Sequence, residues 1–283
     1  YRKVIKSTSK IANNIIVNSE SSKLDLIENF NIPRGKIECI YNPFDKSISS
    51  IGEGHKKLKS KFGSIFDKKT IVTMGSLKNQ KGHEHLLRVF SKSKELYRNS
   101  RLLILGEGSN ISRLLSLSKN LNLKTYSYDN PQSTIRGRDV YFLGFQKNFT
   151  YFLQNSDLYV FPSLWEGFPN ALVEAMYFSL PIISSDCKSG PREILAPRTS
   201  VKYQTKFTEL SDFGILLPPP KIKMLEHKRE YLEHLWSKSI LKFLFSSKVL
   251  EYYRTKSKQR YNQLSNMNTY NRWKDLTLYS DRA

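Results

Sequence analysis

The chain has 283 residues, with 46 Lys and Arg against 25 Asp and Glu, for a formal net charge of +21. With 39% hydrophobic and 12% aromatic residues, it has the makeup of a globular protein able to bury a substantial core, without internal repeats or low-complexity tracts. No apolar run approaches the roughly 18 residues of a membrane span; the stretch SILKFLF at 239–245 comes nearest and is interrupted by Lys242.

Taken in chain order, NIIVN at 14–18 predicts a strand, and Ser19 the N-cap of a helix that ends near Asn31. A short strand at 36–41 is stopped by Asn42-Pro43, and the charged, Gly-containing stretch 44–69 reads as a linker. A regular rhythm then begins. Strands are expected at 70–75, 101–106, 139–144, 157–162, 180–185 and 213–218. Helices are expected at 83–97, 110–121, about 149–154 and about 170–178, and residues 122–139 read as a polar insertion. Continuous apolar strands separated by helices argue for a doubly wound α/β fold around a parallel sheet, with right-handed crossovers. After Pro218-Pro219-Pro220 only helices are predicted, with fourteen Lys and Arg against six Asp and Glu over 221–283. That segment reads either as a solvated tail or as a basic face against lipid headgroups, since Leu244, Phe245, Val249, Leu250, Tyr252 and Tyr253 mix apolar surface with the charge.

Cys39 and Cys187 form no CxxC pair, and the five His show no metal-ligand spacing. A reduced, cytosolic protein without metal or resident cofactor is the expectation. The first residue is Tyr1, with no charged-then-apolar leader, so no secretory signal is expected and an N-terminal portion is expected to be missing. The charge imbalance fits nucleic acid, an anionic membrane or phosphorylated small molecules, and it also fits plain compositional drift.

The densest local signal is SLWEGFPNALVEAM at 163–176. In an open parallel sheet, ligands sit beyond the carboxyl ends of the strands, where loops meet helix N-termini. Here a strand ends at Phe161-Pro162, Gly167 permits close backbone approach, and Pro169 suits a first helical turn. Unpaired amides at that helix start suit a diphosphate. Glu174, about one turn inside, can accept from two neighbouring hydroxyls such as those of a ribose, and Glu166 can meet sugar hydroxyls. Trp165, Phe168 and Tyr177 read as packing residues, and His83 and His85 as structural or solvent-facing. Gly106-Glu107-Gly108 with Asp129 resembles a dinucleotide fingerprint only partly, because Ile111 stands at the third glycine position.

Glu, seven residues, then Glu, followed by SLPIISSDCKSGPREIL, resembles the family 4 retaining glycosyltransferases of GT-B fold. NNIIVNSESSK, IECIYNP, TMGSLKNQKG, LLILGEG and VYFLGFQKN precede it in the family's order, and RYNQLSNMNTYNRWKDL resembles the family's closing helix. The match is closest to bacterial enzymes of lipid-linked oligosaccharide, capsule or lipopolysaccharide synthesis. The resemblance implies a nucleotide-sugar donor, of which uridine diphosphate carriers are commonest, and a lipid-linked or glycan acceptor, with no metal and no nucleic acid. It implies a peripheral site at the cytoplasmic membrane face. Glu166 and Lys81 are then the residues at the reacting centre. Gly75, Ser76 and Lys81 should meet the diphosphate; Gly167, Phe168, Pro169, Asn170, Ala171 and Leu172 should surround the donor sugar and diphosphate; Glu174 should hold the ribose, and Phe145 and Gln146 should lie against the base. Arg192 and Glu193 are held as further contributors.

Two departures from the family pattern stand out. Ser76 occupies the position of a usual Arg that clamps the diphosphate with the Lys, leaving Lys78, Arg192 or the helix dipole to compensate. The first of the two domains of a GT-B enzyme is also expected to be largely absent. Residues 1–45 are expected to be its end plus the hinge, 46–220 the Rossmann-like donor domain, and 221–283 the basic helical tail. Such a chain should bind donor without transferring sugar alone. A catalytically inactive partner subunit and a basic nucleic-acid-binding module are the competing expectations.

Overall fold

In the computed structural model of the protein, residues 2–44, 54–130, 134–267 and 269–280 are described. Helix α1 (Arg2–Ile11) leads into a small unit in which β1 (Ile15–Val17) and β2 (Ile37–Cys39) pair in parallel across α2 (Glu20–Phe30). Ser19 starts α2 by accepting the Ser22 amide on its hydroxyl at 3.1 Å, and Asn31 stops it in the left-handed conformation at φ 56°.

The stretch expected to be a linker is only partly one. Residues 45–53 lie outside the described residues, but α3 (Gly54–Phe62) and a single turn (Gly63–Phe66) follow. Sparse apolar positions decide this: Phe62 and Ile65 are buried, and Phe62 and Phe66 pack on the Phe152 ring. Tertiary burial overrides a Lys-rich composition with weak periodicity.

The main sheet has eight strands: β3 (Lys69–Met74), β4 (Ser100–Leu105), β5 (Thr125–Ser127), β6 (Val140–Gly144), β7 (Leu158–Phe161), β8 (Ile182–Ser185), β9 (Glu209–Ser211) and β10 (Gly214–Leu217). Their order is β5-β6-β4-β3-β7-β8-β10-β9, and every pairing is parallel except that of β10 with β9. The expected parallel sheet is therefore present with two additions at its edges. β5 falls inside the stretch read as a polar insertion, with Tyr126 buried against Tyr141, and β9 closes the other edge in the opposite direction. Residues 131–133 of that insertion lie outside the described residues.

Helices α4 (His83–Leu96), α5 (Ile111–Asn120), α6 (Phe149–Gln154), α7 (Asn170–Tyr177) and α8 (Pro191–Leu195) connect the strands. Strand side chains alternate between two cores. Val72, Leu103 and Tyr141 face one core with Phe152, Leu172 and Met176, whereas Ile71, Leu102 and Phe142 face the other with Leu86 and Phe90. A sheet buried on both faces explains why its strands read as unbroken apolar runs.

The terminal helices α9 (Glu226–Phe245), α10 (Ser247–Ser265) and α11 (Thr269–Ser280) follow. The first two complete the domain and do not trail from it as a solvated tail. Trp236 is fully buried and donates its indole N–H to the Pro218 carbonyl at 3.1 Å. Of the apolar residues expected to mix with surface charge, Leu244, Leu250 and Tyr253 are core, while Phe245 and Tyr252 are exposed. Ser257 on α10 donates to the Leu180 carbonyl at 2.6 Å, and Arg260 donates to the Glu193 and Ile194 carbonyls.

Candidate functional site

Beyond the carboxyl ends of β3, β4, β6 and β7 the main chain is drawn in tightly. The Gly75 amide donates to the Leu105 carbonyl at 3.0 Å, and the Gly106 amide to the Gly144 carbonyl at 2.8 Å. At φ 140°, a Cβ on Gly106 would strike the Gly75 main chain, so only glycine permits this approach. The space in front is a cleft of about 500 Å³. Gly75, Ser76 and Lys81 line one side, Phe145 and Gln146 another, and Ala171 and Glu174 of α7 close it.

Lys81 ends the turn Asn79–Lys81 that feeds α4 through Gly82 at φ 66°. Its stem runs along Gly75, where an added Cβ would lie 3.1 Å from Cδ. Its Nζ donates to Glu166 Oε1 at 2.6 Å, with side-chain exposures of 20% for Lys81 and 9% for Glu166. The loop carrying Glu166 is pinned to that turn: the Leu164 amide donates to the Gln80 carbonyl at 2.8 Å, and Gln80 Nε2 to the Trp165 carbonyl at 2.8 Å. Lys81 thus joins the two glutamates, pairing with one while lining the cleft with the other.

Pro169 stands at the cap position just before α7, with no side-chain hydrogen bond closing the helix start. Glu174, one turn inside, makes no side-chain hydrogen bond among the described residues, and burial raises its carboxyl above the ordinary range. Of the other residues expected here, Leu172 is wholly core. Phe168 is buried and stacks on Tyr41 at 4.7 Å, and the side chain of Asn170 accepts from Asn42 Nδ2 at 2.9 Å. Gly167 faces Asn18, not open space. At the opposite wall Phe145 is 74% exposed, and Gln146 donates to the Leu143 carbonyl.

Arg192 and Glu193 do not line the cleft. Arg192 is buried against Asp186 at 2.6 Å and Glu209 at 2.7 Å. Lys78 lines a separate cavity of about 80 Å³ beside the start of α4. Neither cation expected to compensate for Ser76 is therefore among the cleft-lining residues. His83 and His85 are buried, not solvent-facing, and burial lowers their pKa to about 4 and about 3. Trp165, expected to pack, is 47% exposed.

The sequence reasoning missed Glu107, which lines the cleft and accepts the Phe145 amide on Oε1 at 3.0 Å. The signal was available in LGEG, whose glycines mark the tight turn that aims this side chain. Among the described residues, no group of three or more His, Cys, Asp or Glu could hold a metal ion.

An open, mainly parallel sheet with a terminal-helix wall and a cleft at its strand ends defines the Rossmann-like architecture of GT-B glycosyltransferases. The chain belongs to the glycosyl transferases group 1 family, whose model matches residues 55–239. It is 35% identical over 225 residues to an uncharacterized glycosyltransferase of Methanocaldococcus jannaschii, covering 77% of this chain and 52% of that protein. It is 33% identical over 183 residues to the N-acetylgalactosamine-N,N'-diacetylbacillosaminyl-diphospho-undecaprenol 4-alpha-N-acetylgalactosaminyltransferase of Campylobacter jejuni, covering 64% and 43%. The chain therefore spans about half the length, or less, of these curated relatives. Among solved structures it resembles Anabaena Alr3699/HepE in complex with UDP and glucose, with a TM-score of 0.66, 17% identity and coverage of 99% and 68%. It also resembles the pneumococcal O-GlcNAc transferase GtfA in complex with UDP and GlcNAc, with a TM-score of 0.70, 18% identity and coverage of 98% and 47%.

Proposed function

We propose that this chain is the donor-binding side of a family 4 retaining glycosyltransferase that moves a sugar from a UDP-sugar to a lipid-linked glycan or polysaccharide precursor. The observation that carries the proposal is the single cleft shared by Gly75, Ser76, Lys81, Phe145, Gln146 and Glu174, with Glu166 held on Lys81. Lys81 would turn from Glu166 to the diphosphate, leaving the Glu166 carboxylate for hydroxyls of the transferred sugar. The main-chain amides at the start of α7 would meet phosphate oxygens, Glu174 the ribose hydroxyls, and Phe145 the face of the base.

Transfer would follow a front-face course. The acceptor oxygen bonds to the anomeric carbon as the bond to the β-phosphate oxygen breaks, and that departing oxygen takes the hydroxyl proton. Support for the donor comes from the UDP named in complexes of similar fold, and for the acceptor from the undecaprenol-linked substrate in the Campylobacter relative's name. The reading includes no metal and no nucleic-acid partner.

Among the described residues no helix is long and apolar enough to cross a membrane. The net charge of +21 supports a peripheral seat on an anionic cytoplasmic membrane face.

One observation favours a second reading, a catalytically silent partner of the same fold: among the described residues, no replacement for the usual Arg at Ser76 lines the cleft. Calorimetry of the chain against a panel of nucleotide sugars and free UDP tests the donor assignment. Saturable binding of a UDP-sugar supports it, and heat from none of the panel would sink it. Transfer or donor hydrolysis by the full-length enzyme separates the active from the silent reading.

A further inference from the structure

Glu193 is 5% exposed and sits on α8, away from the cleft. Its carboxylate collects donors from three separate stretches of chain. Oε2 accepts the Glu20 amide at 2.7 Å and Oε1 the Ser21 amide at 3.1 Å, both in the first turn of α2. The Tyr41 hydroxyl donates to Oε2 at 3.3 Å, and the Gly190 amide to Oε1 at 3.4 Å. Ser19 already satisfies the Ser22 amide, so Glu193 supplies from across the molecule the acceptors that this helix start otherwise leaves unfilled.

Both ends of this contact lead to the loop that carries Glu166. Tyr41 stacks on Phe168 at 4.7 Å, and Asn42 donates to Asn170 at 2.9 Å. Gly190 packs so closely on that loop that a Cβ there would collide with the Pro169 ring and lie 3.0 Å from the Gly167 carbonyl. Among the described residues, the ion pairs between these two parts, Lys202 with Glu28, Lys188 with Asp25 and Arg272 with Glu38, are solvent-exposed and contribute little.

We infer that Glu193 is a positioning residue, a latch that ties the seating of residues 2–44 to the conformation of the 166–170 loop. A buried carboxylate is stable only while its donors are in place. Withdrawing α2 strips two of its bonds and releases Tyr41 from Phe168, so docking and loop order rise and fall together. Affinity at the cleft then depends on docking by linkage; only this last step rests on the donor reading.

The test is hydrogen exchange read by mass spectrometry on the full chain, comparing wild type with Glu193→Gln and, separately, Glu20→Pro. Gln retains the shape but places an N–H₂ group where a carboxylate oxygen accepts. Proline at the first position of α2 is tolerated by the helix yet deletes the 2.7 Å bond from the other side, and Ser19 at φ −155°, ψ 147° already has the extended conformation that a residue before proline requires.

In either variant, exchange in peptides covering 19–23 and 163–172 is expected to rise together by roughly tenfold, the scale of one hydrogen bond to a charged group. Peptides over β3 and β4 should not change. A rise confined to the substituted side reduces Glu193 to a local helix cap and overturns the latch, as does no rise at all. Should Glu193→Gln loosen the whole chain, Glu20→Pro alone decides: paired loosening supports the latch and one-sided loosening overturns it. Parallel calorimetry should show a several-fold weaker UDP-sugar affinity in both variants. If wild type binds no UDP-sugar, the donor reading fails while the exchange result still decides the latch.

Discussion

Lys81→Met is the most informative single perturbation of the cleft. Methionine keeps most of the stem that lies along Gly75 and removes the charge that Glu166 receives at 2.6 Å. Breaking a buried ion pair from one side costs about 3–5 kcal/mol. Exposures of 20% and 9% place this pair short of complete burial, so a loss near the lower end, about 3 kcal/mol, is expected. Glu166→Gln should cost less, about 1–2 kcal/mol, because the more exposed lysine can turn toward water. The double variant should lose less than the sum of the two, giving a coupling of about 1–3 kcal/mol. Urea denaturation at neutral pH reads all four proteins. Strictly additive losses would refute a stabilising pair at this position.

Glu174→Gln should weaken UDP-sugar binding by roughly 1–3 kcal/mol, about 5- to 150-fold, with unchanged calorimetric affinity removing Glu174 from the site. Ser76→Arg should tighten binding about tenfold by restoring a fork beside Lys81, and titration of the variant with UDP measures this directly. His83 and His85, with folded pKa values near 4 and 3 against an ordinary 6.5, stay neutral while the unfolded chain takes up protons. Stability is therefore complete above about pH 6.5 and declines as pH falls toward 4. His85→Phe, which keeps a ring against Trp236, should flatten that decline in urea midpoints measured stepwise from neutral to acid.

The alternation of elements was legible because every central strand is buried on both faces and so presents an unbroken apolar run, from Ile71-Val72 through Ile182-Ile183. The edge strands were not. Thr125–Ser127 and Glu209–Ser211 are three residues each, and β9 alternates half-buried and exposed positions that resemble loop composition. α3 was hidden by its lysines, since the apolar residues that fold it onto the core, Leu58 and Phe62 with the following Ile65 and Phe66, are sparse among them. At the site, the convergence of Lys81 and Glu174 followed from motif order. The capture of Arg192 by Asp186 and Glu209 did not, because it depends on β9, which sequence patterning does not reveal. Glu193 was singled out, but its role as an acceptor for a helix more than 170 positions away lies in tertiary geometry alone.

Trp236 bears on where this chain can be shortened. The shift to basic helices at Pro220 looks like a seam in composition, yet the indole is seated on the sheet's second face with Ile215, Leu217 and Phe90 around the same core. A chain cut after the three prolines would present that face to water as a broad oily plane. Its fate would be self-association, so the terminal helices belong to the folding unit as fully as the strands they cover.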